Sequence, residues 1–389
     1  MAHPESRVRL ESKLSDPDWH VRAQVAYALS HLRDRRSTAV LSRMLVEDPS
    51  ALVRNACSLA LGRIGDPRAV SALTRASSDA SDRVRREAII ALERCHDPAA
   101  ATKARPFLTD PARRVRIAAA LVIGLQRDPA GVPALLGFLH RADTWEKPAV
   151  LIALGRIGTP ECAAEIVRQA RDPVRWVRVC ALHALADMRA PQARPVARGM
   201  LEDPAWSVRA AAALALGKTG KATDAERVAP LAHDPNAWVR RAAIYTLGGL
   251  GARGHSGEVR AALRDPDPEV QLAAIWAVGA LRDRSAIPEL STFLRHAEVR
   301  PASVRTAFAT GDGAVQLVSD ANARRFDALV EAMSAFSSRD RAARAALVSA
   351  RRRVRASDLD RPARLPSPLG SGVDARTLRD LFRQGERKG

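Results

Sequence analysis

The chain has 389 residues, a formal net charge of +19, and 47% apolar but only 4% aromatic residues. A composition dominated by Ala, Leu, Val and Arg favours helix over sheet, and the length suggests more than one compact domain. No run reaches the ~18 apolar residues a membrane span needs, and the opening MAHPESRVRLESKL carries no apolar signal core, so the cytoplasm is the expected compartment and no membrane insertion is expected.

In chain order, residues 5–14 (ESRVRLESKL) read as one unpaired helix, and a recurring sentence follows. DPAWSVRAAAALALGKTG at 203–220 returns as DPNAWVRRAAIYTLGGLG at 234–251. Asp-Pro pairs start at 16, 48, 110, 172, 203, 234 and 265, and Asp-Ala starts at 79. The period is about 31 residues, and one gap of twice that length hides a degenerate unit from Arg141, which makes nine units. A basic residue stands six positions after each start, from Arg22, Arg54 and Arg85 through Lys147 to Arg209 and Arg240; only the ninth unit departs, with Gln271. Val precedes that position everywhere except in the fifth unit.

Each unit predicts two helices. The Asp is expected as N-cap, with Pro at the first helical position. The helix should run about 12 residues and stop at glycines such as Gly62, Gly65, Gly155, Gly158, Gly217 and Gly220. In the fourth unit the second helix shows Val132, Leu135, Leu136 and Leu139 at i, i+3, i+4 and i+7. Neither helix can bury its stripe alone, so the units must stack, giving an all-α solenoid on the order of 90 Å long at ~10 Å per unit.

The pattern Asp-Pro, Val-Arg, Ala-x-Ala-Leu-Gly-x-Ile-Gly-Asp-Pro, clearest at 48–67, resembles the HEAT-repeat family, in its short phycobilisome-lyase-like class. The resemblance covers 16–296 and implies a right-handed superhelix of nine to ten two-helix repeats. It further implies a structural ladder between neighbouring units, with the pairs Asp48–Arg54 and Asp203–Arg209, and a concave face lined by the helix that follows Asp-Pro. Arg suits such a ladder because its planar fork can hold a carboxylate and turn carbonyls together.

Function is expected where the units differ. Four positions after each start stand His20, Leu52, Arg83, Arg114, Trp145, Trp176, Ser207, Trp238 and Glu269; eleven positions after stand Tyr27, Leu59, Ile90, Leu121, Ile152, His183, Leu214, Tyr245 and Trp276. Packing between helix starts accounts for such aromatics; an aromatic groove for a protein partner, formed by Trp145, Trp176, His183, Trp238, Tyr245 and Trp276, is the sharper reading, because Trp, Tyr and Arg dominate binding hot spots. Arg63, Arg83, Arg86, Arg94, Arg113, Arg114 and Arg156 are either solvated surface or a patch for an acidic partner or a phosphate backbone.

The charge invites a nucleic-acid reading, yet Arg outnumbers Lys 56 to 6 and the charge is spread along the chain, without a basic arm or a recognition helix. DNA glycosylases built on HEAT-like superhelices show that such a face can hold DNA. No catalytic motif is present: there is no HExxH, GxSxG or P-loop, and the His residues are scattered. Cys57, Cys95, Cys162 and Cys180 lack metal-ligand spacing and read as buried thiols. The expectation is a non-catalytic protein-binding scaffold or adaptor without metal or cofactor. A nucleic-acid-binding solenoid is the alternative, and a lyase or chaperone for a cofactor, implied by the resemblance alone, is a third.

Beyond the 1–296 array, 297–355 should hold a broken tenth unit and a helical cap, with Phe326, Leu329, Val330, Met333 and Phe336 as its stripe. Residues 356–373 read as a linker rich in Pro, Ser and Gly. Residues 374–389 read as a short amphipathic helix whose Leu378, Leu381 and Phe382 dock on the solenoid or on a partner.

Overall fold

The computed structural model of the chain describes residues 4–290 and two short strands at 307–309 and 315–317. It divides into two compact units, 1–190 and 191–389, and the division falls inside the periodic array.

The first unit holds α1 (Pro4–Glu11), α2 (Trp19–Leu32), α3 (Thr38–Glu47), α4 (Ala51–Ile64), α5 (Val70–Ala76), α6 (Asp82–Arg94), α7 (Ala100–Ala104), α8 (Arg113–Leu125), α9 (Val132–Arg141), α10 (Lys147–Ile157), α11 (Pro160–Gln169) and α12 (Arg175–Asp187). The helices after each unit start, α2, α4, α6, α8, α10 and α12, pack in that order side by side, and α3, α5, α7, α9 and α11 back them. The second unit repeats the plan with α13 (Ala193–Gly199), α14 (Trp206–Thr219), α15 (Ala225–Val228), α16 (Ala237–Gly249), α17 (Ser256–Ala261) and α18 (Pro268–Leu281), with α14, α16 and α18 forming its row. Many backing helices are short and completed by a 3-10 turn.

The repeat period is a packing period. Val53, Val84, Val115, Val177, Val208, Val239 and Val270 are fully buried at one register of successive row helices. In α9, Val132, Leu135 and Leu139 are buried as the stripe requires, together with Phe138, and Leu136 stays half-buried.

The Asp-Pro turns differ from the expected N-cap. Asp48 stands three residues before α4, and its Oδ1 accepts the Ser50 N–H at 2.8 Å, which makes an Asx turn ahead of the helix. The same turn recurs at Asp79, Asp110, Asp172, Asp203, Asp234 and Asp265. The side chain is thereby placed to serve the preceding helix as well as its own.

That second service corrects the expected ladder pairs. Arg54 does not take the carboxylate of Asp48. Its Nε and Nη2 donate to Asp79, 25 residues ahead, at 2.7 and 3.0 Å, and its Nη1 donates to the carbonyls of Asp48 and Pro49. The carboxylate of Asp48 accepts from Arg22 instead. Arg209 likewise holds Asp234, together with the carbonyls of Asp203 and Pro204. Each guanidinium thus clamps its own turn and the next one: the expected ladder between neighbouring units is present, and each carboxylate it uses lies one repeat ahead of the expected one.

The two irregular repeats mend the ladder by other means. The fifth lacks the Asp, and Glu146, in the register that holds Val elsewhere, is buried and accepts from Arg116 Nε at 2.6 Å. Lys147 then donates to Asp172 at 2.7 Å. In the ninth, Gln271 makes the local half of the clamp, donating to the Asp265 carbonyl.

A second set of polar links joins the backing layer: Thr38 donates to Asp66, Arg105 pairs with Asp128, Arg194 and Arg198 hold the fully buried Asp224, and Arg260 pairs with Asp283.

Gly65 and Gly158 end their helices at φ +69° and +75°, as expected. Gly62, Gly155 and Gly217, also expected as stops, lie inside α4, α10 and α14. A Cβ at Gly155 would come within 2.7 Å of the Ala184 Cα in α12, so this glycine is where two helix backbones touch. Arg33, Arg127 and Arg189 close their helices at positive φ without glycine.

Of the tail, the described residues are Ala307–Ala309 and Val315–Leu317, paired antiparallel with Phe308 opposite Gln316. They are extended where a helical tenth unit was expected. The predicted cap at 322–336, the linker, and the docking residues Leu378, Leu381 and Phe382 lie outside the described residues.

Candidate functional site

With their inner stripes buried, the row helices offer solvent one face, which carries the positions four, eleven and fifteen places after each start. These fall in line because the intervals between them are close to whole numbers of helical turns.

In the first unit this face is rich in Arg. Arg83 and Arg114 occupy equivalent positions near the starts of α6 and α8, and both are exposed. Arg114 Nε lies 3.1 Å from Asp82, whereas Arg83 has no ion-pair or hydrogen-bond partner among the described residues. Arg86 and Arg94 flank the buried Glu87, each at 3.6 Å. Arg113 lies 3.6 Å from Asp143, and Arg63 donates to Ser30 and sits 5.0 Å over the Tyr27 ring. Arg156 near the end of α10 is half-buried. Trp145 continues the row of Arg83 and Arg114 and is exposed; Trp176 follows at the same register on α12, half-buried beneath the Arg175 guanidinium 5.0 Å away. His183 is half-buried one row further along the same helix.

In the second unit three of the singled-out aromatics come together. Tyr245 and Trp276 meet at 5.3 Å between ring centroids. Arg241 lies 5.0 Å over Trp238 and 5.8 Å over Tyr245, and its Nη1 is 3.8 Å from Glu269. Trp238 remains 58% exposed, the most exposed large apolar side chain among the described residues. Arg241 organises this cluster, and it stands seven places after the start of its unit, outside the columns at four and eleven. Its signal was present: residues 238, 241 and 245 are spaced i, i+3 and i+7 on one helix face.

Among the described residues no group of His, Cys, Asp and Glu could hold a metal ion. The four cysteines are buried and unpaired. Burial pushes the thiol of Cys95 up to about 11 and that of Cys180 up to about 12. Among the described residues no helix is long and apolar enough to cross a membrane.

The comparisons agree with this geometry. The family model described as HEAT repeats matches at residues 8–93, 44–121, 101–179, 164–248 and 225–311. No curated protein matches the chain. Among solved structures, that of Kap95p, whose binding induces the switch loops of RanGDP to adopt the GTP-bound conformation, is similar at 12% identity and a TM-score of 0.56, with 98% of this chain and 56% of that one covered. Importin beta in an ammonium sulfate condition is similar at 14% identity and a TM-score of 0.54, with 85% and 53% covered. The chain therefore spans about half the length of these two proteins, and at such identities the likeness is one of fold. The CpcE–CpcF complex of phycocyanin lyase from Nostoc sp. PCC7120 aligns at 20% identity, 71% and 93% coverage and a TM-score of 0.34. A recurring Asp-Pro turn, two helices per repeat, a Val-Arg register that builds the ladder between repeats, and a family model spanning 8–311 lead to one assignment: the chain belongs to the HEAT-repeat family.

Proposed function

We propose that the protein is a binding scaffold or adaptor that holds a protein partner on the solvent face of its row helices, without a reaction of its own. The observation that carries this reading is the set of exposed and half-buried aromatic and Arg side chains held in register on the row helices, foremost the exposed Trp238 with Arg241 over its ring. Trp, Tyr and Arg supply most of the energy at protein interfaces, and a Trp that leaves 58% of its surface in water gains it back by covering. The similar fold of a Kap95p that binds RanGDP supports protein binding as a use of such an array. The test is affinity capture with the intact chain and with Trp176→Ala plus Trp238→Ala. Loss of the captured proteins supports the reading; capture of the same proteins by the variant, at the same yield, refutes it.

A second reading, a nucleic-acid-binding solenoid, is favoured by the net charge of +19 and the Arg-rich face of the first unit. It expects retention of DNA or RNA at low salt, with log K falling by several units per unit of log salt. Absence of binding at low salt removes it.

A further inference from the structure

On the first unit, the solvent face of the row helices carries an apolar strip, its floor, between two rows rich in Arg, its walls. The floor is Leu59, Ile90 and Leu121, half-buried at one register on α4, α6 and α8, and it ends on the buried Ile152 of α10. One wall is the start-side row of Leu52, Arg83, Arg114 and Trp145; the other is the end-side row of Arg63, Arg94, Leu125 and Arg156. The walls are about eleven residues apart along each helix, or about 16 Å. Four helices stacked at ~9–10 Å make the strip about 30 Å long. Arg83 and Arg156 have no ion-pair or hydrogen-bond partner among the described residues, Arg94 lies 3.6 Å from Glu87, and Arg114 pairs with Asp82 at 3.1 Å, so the positive charge of the walls is only partly answered from within.

We propose that this strip binds an acidic amphipathic helix of a partner protein, with its apolar stripe on Leu59, Ile90 and Leu121 and its carboxylates against the Arg residues of the two walls. This rests on the scaffold reading and names its partner's chemistry. The dimensions suit a helix: one of ~10–12 Å diameter lies between rows ~16 Å apart, and about 20 residues of it span the ~30 Å of the strip. An apolar floor distinguishes this occupant from a phosphate backbone, which would leave Leu59, Ile90 and Leu121 uncovered. Arg is the better wall residue because its fork meets carboxylates in pairs.

The experiment is fluorescence anisotropy on the full chain with a labelled peptide of that length, bearing Leu at i, i+3, i+4 and i+7 and Glu elsewhere. The comparators are its Lys-for-Glu counterpart, a scrambled peptide of the same composition, and a single-stranded RNA of as many nucleotides. The acidic amphipathic peptide should bind at least tenfold more tightly than either control peptide and more tightly than the RNA. Arg83→Glu with Arg114→Glu should weaken it at least tenfold, whereas Arg43→Glu with Arg75→Glu, on the backing helices α3 and α5, should change it less than twofold. Should the reversal lower the melting temperature, Arg83→Gln with Arg114→Gln repeats the measurement, with a loss of at least threefold expected. Equal binding of the scrambled peptide, tighter binding of the RNA, or indifference to both Arg83–Arg114 variants overturns the proposal. If the peptide fails while Trp-dependent capture persists, this inference falls and the scaffold reading stands; if capture proves independent of the Trp pair, the scaffold reading falls whatever the peptide does.

Discussion

Arg85 in α6 reaches 25 residues ahead to Asp110, with both Nε–Oδ2 and Nη2–Oδ1 at 2.9 Å, while its Nη1 donates to the carbonyls of Asp79 and Ala80 behind it. Both side chains are largely buried, at 13% and 5% exposure. One guanidinium therefore satisfies a carboxylate and two carbonyls in two successive turns. Arg85→Ala would leave the Asp110 carboxylate with the Ala112 N–H and little else. The expected cost is about 2 kcal/mol, below that of a fully buried pair because the edge of the ladder meets solvent. Arg85→Lys should recover less than half, since an ammonium cannot span both turns. Chemical unfolding followed by circular dichroism measures this, and a loss under about 0.5 kcal/mol for the Ala variant, the range of an ordinary surface substitution, contradicts the ladder's structural role.

The ladder also sets a pH limit. At Asp79, Asp110, Asp234 and Asp265 burial works against ionisation, but hydrogen bonds from Arg54, Arg85, Arg209 and Arg240, with one backbone N–H each, outweigh it and hold the carboxyls below their usual range. Their folded pKa values lie below the unfolded ones, so their contribution is complete above about pH 4 and is lost as pH falls through the folded values. The melting temperature should be level between pH 7 and 5 and fall steeply below about pH 4. In Arg85→Ala the fall should be shallower, because Asp110 has lost the partner that favours its ionised form. A melting temperature unchanged down to pH 3 would sink the assignment.

At Gly155 the backbone of α12 leaves no room for a methyl group. Gly155→Ala gains about 1 kcal/mol of helix propensity but forces α10 and α12 apart, which costs about 1–3 kcal/mol. The expected sum is a loss of about 1 kcal/mol, seen as a melting temperature lower by a few degrees. A stabilised Gly155→Ala would mean that these helices do not meet there.

The four thiols should be inert in the folded protein. Cys57, Cys95 and Cys180 are fully buried and Cys162 is closed off beside Thr159, and burial raises all four above the usual thiol range. A disulfide reagent at pH 8 should titrate none of them within minutes and all four in denaturant. Rapid native reaction of any thiol would show that its helix opens locally.

The aromatic cluster should separate stability from binding. Trp238→Ala removes a ring that is mostly in water and should cost under about 1 kcal/mol, whereas Trp276→Ala, half-buried against Tyr245 and Gly248, should cost about 2 kcal/mol. Equal losses at the two positions would contradict the geometry.

Much of the architecture was legible because a stacked repeat writes its packing rule once per unit. The recurring Val marks the buried register, the basic residue the ladder, and the apolar i, i+3, i+7 spacing the backing helices. Less of the candidate site was legible. The columns located Arg83, Arg114, Trp145 and Trp176 on one face, but Arg241 and Arg175, which cover the aromatic rings, fall between columns and became visible only through helix geometry.

Sequence alone determined that the chain is a series of paired helices of fixed period, since only a unit stacked on its own likeness would need one apolar and one charged register restored at a constant interval. The tertiary structure decided which groups those registers join. Periodicity says where an Asp and an Arg recur but not whether the rung closes within a unit or reaches ahead to the next. It likewise could not say that Glu146 would replace a missing Asp from a Val position, or that Gly155 is a point of contact rather than an ending. Those choices depend on the spacing of neighbouring helices, a property of the stack that no single unit contains.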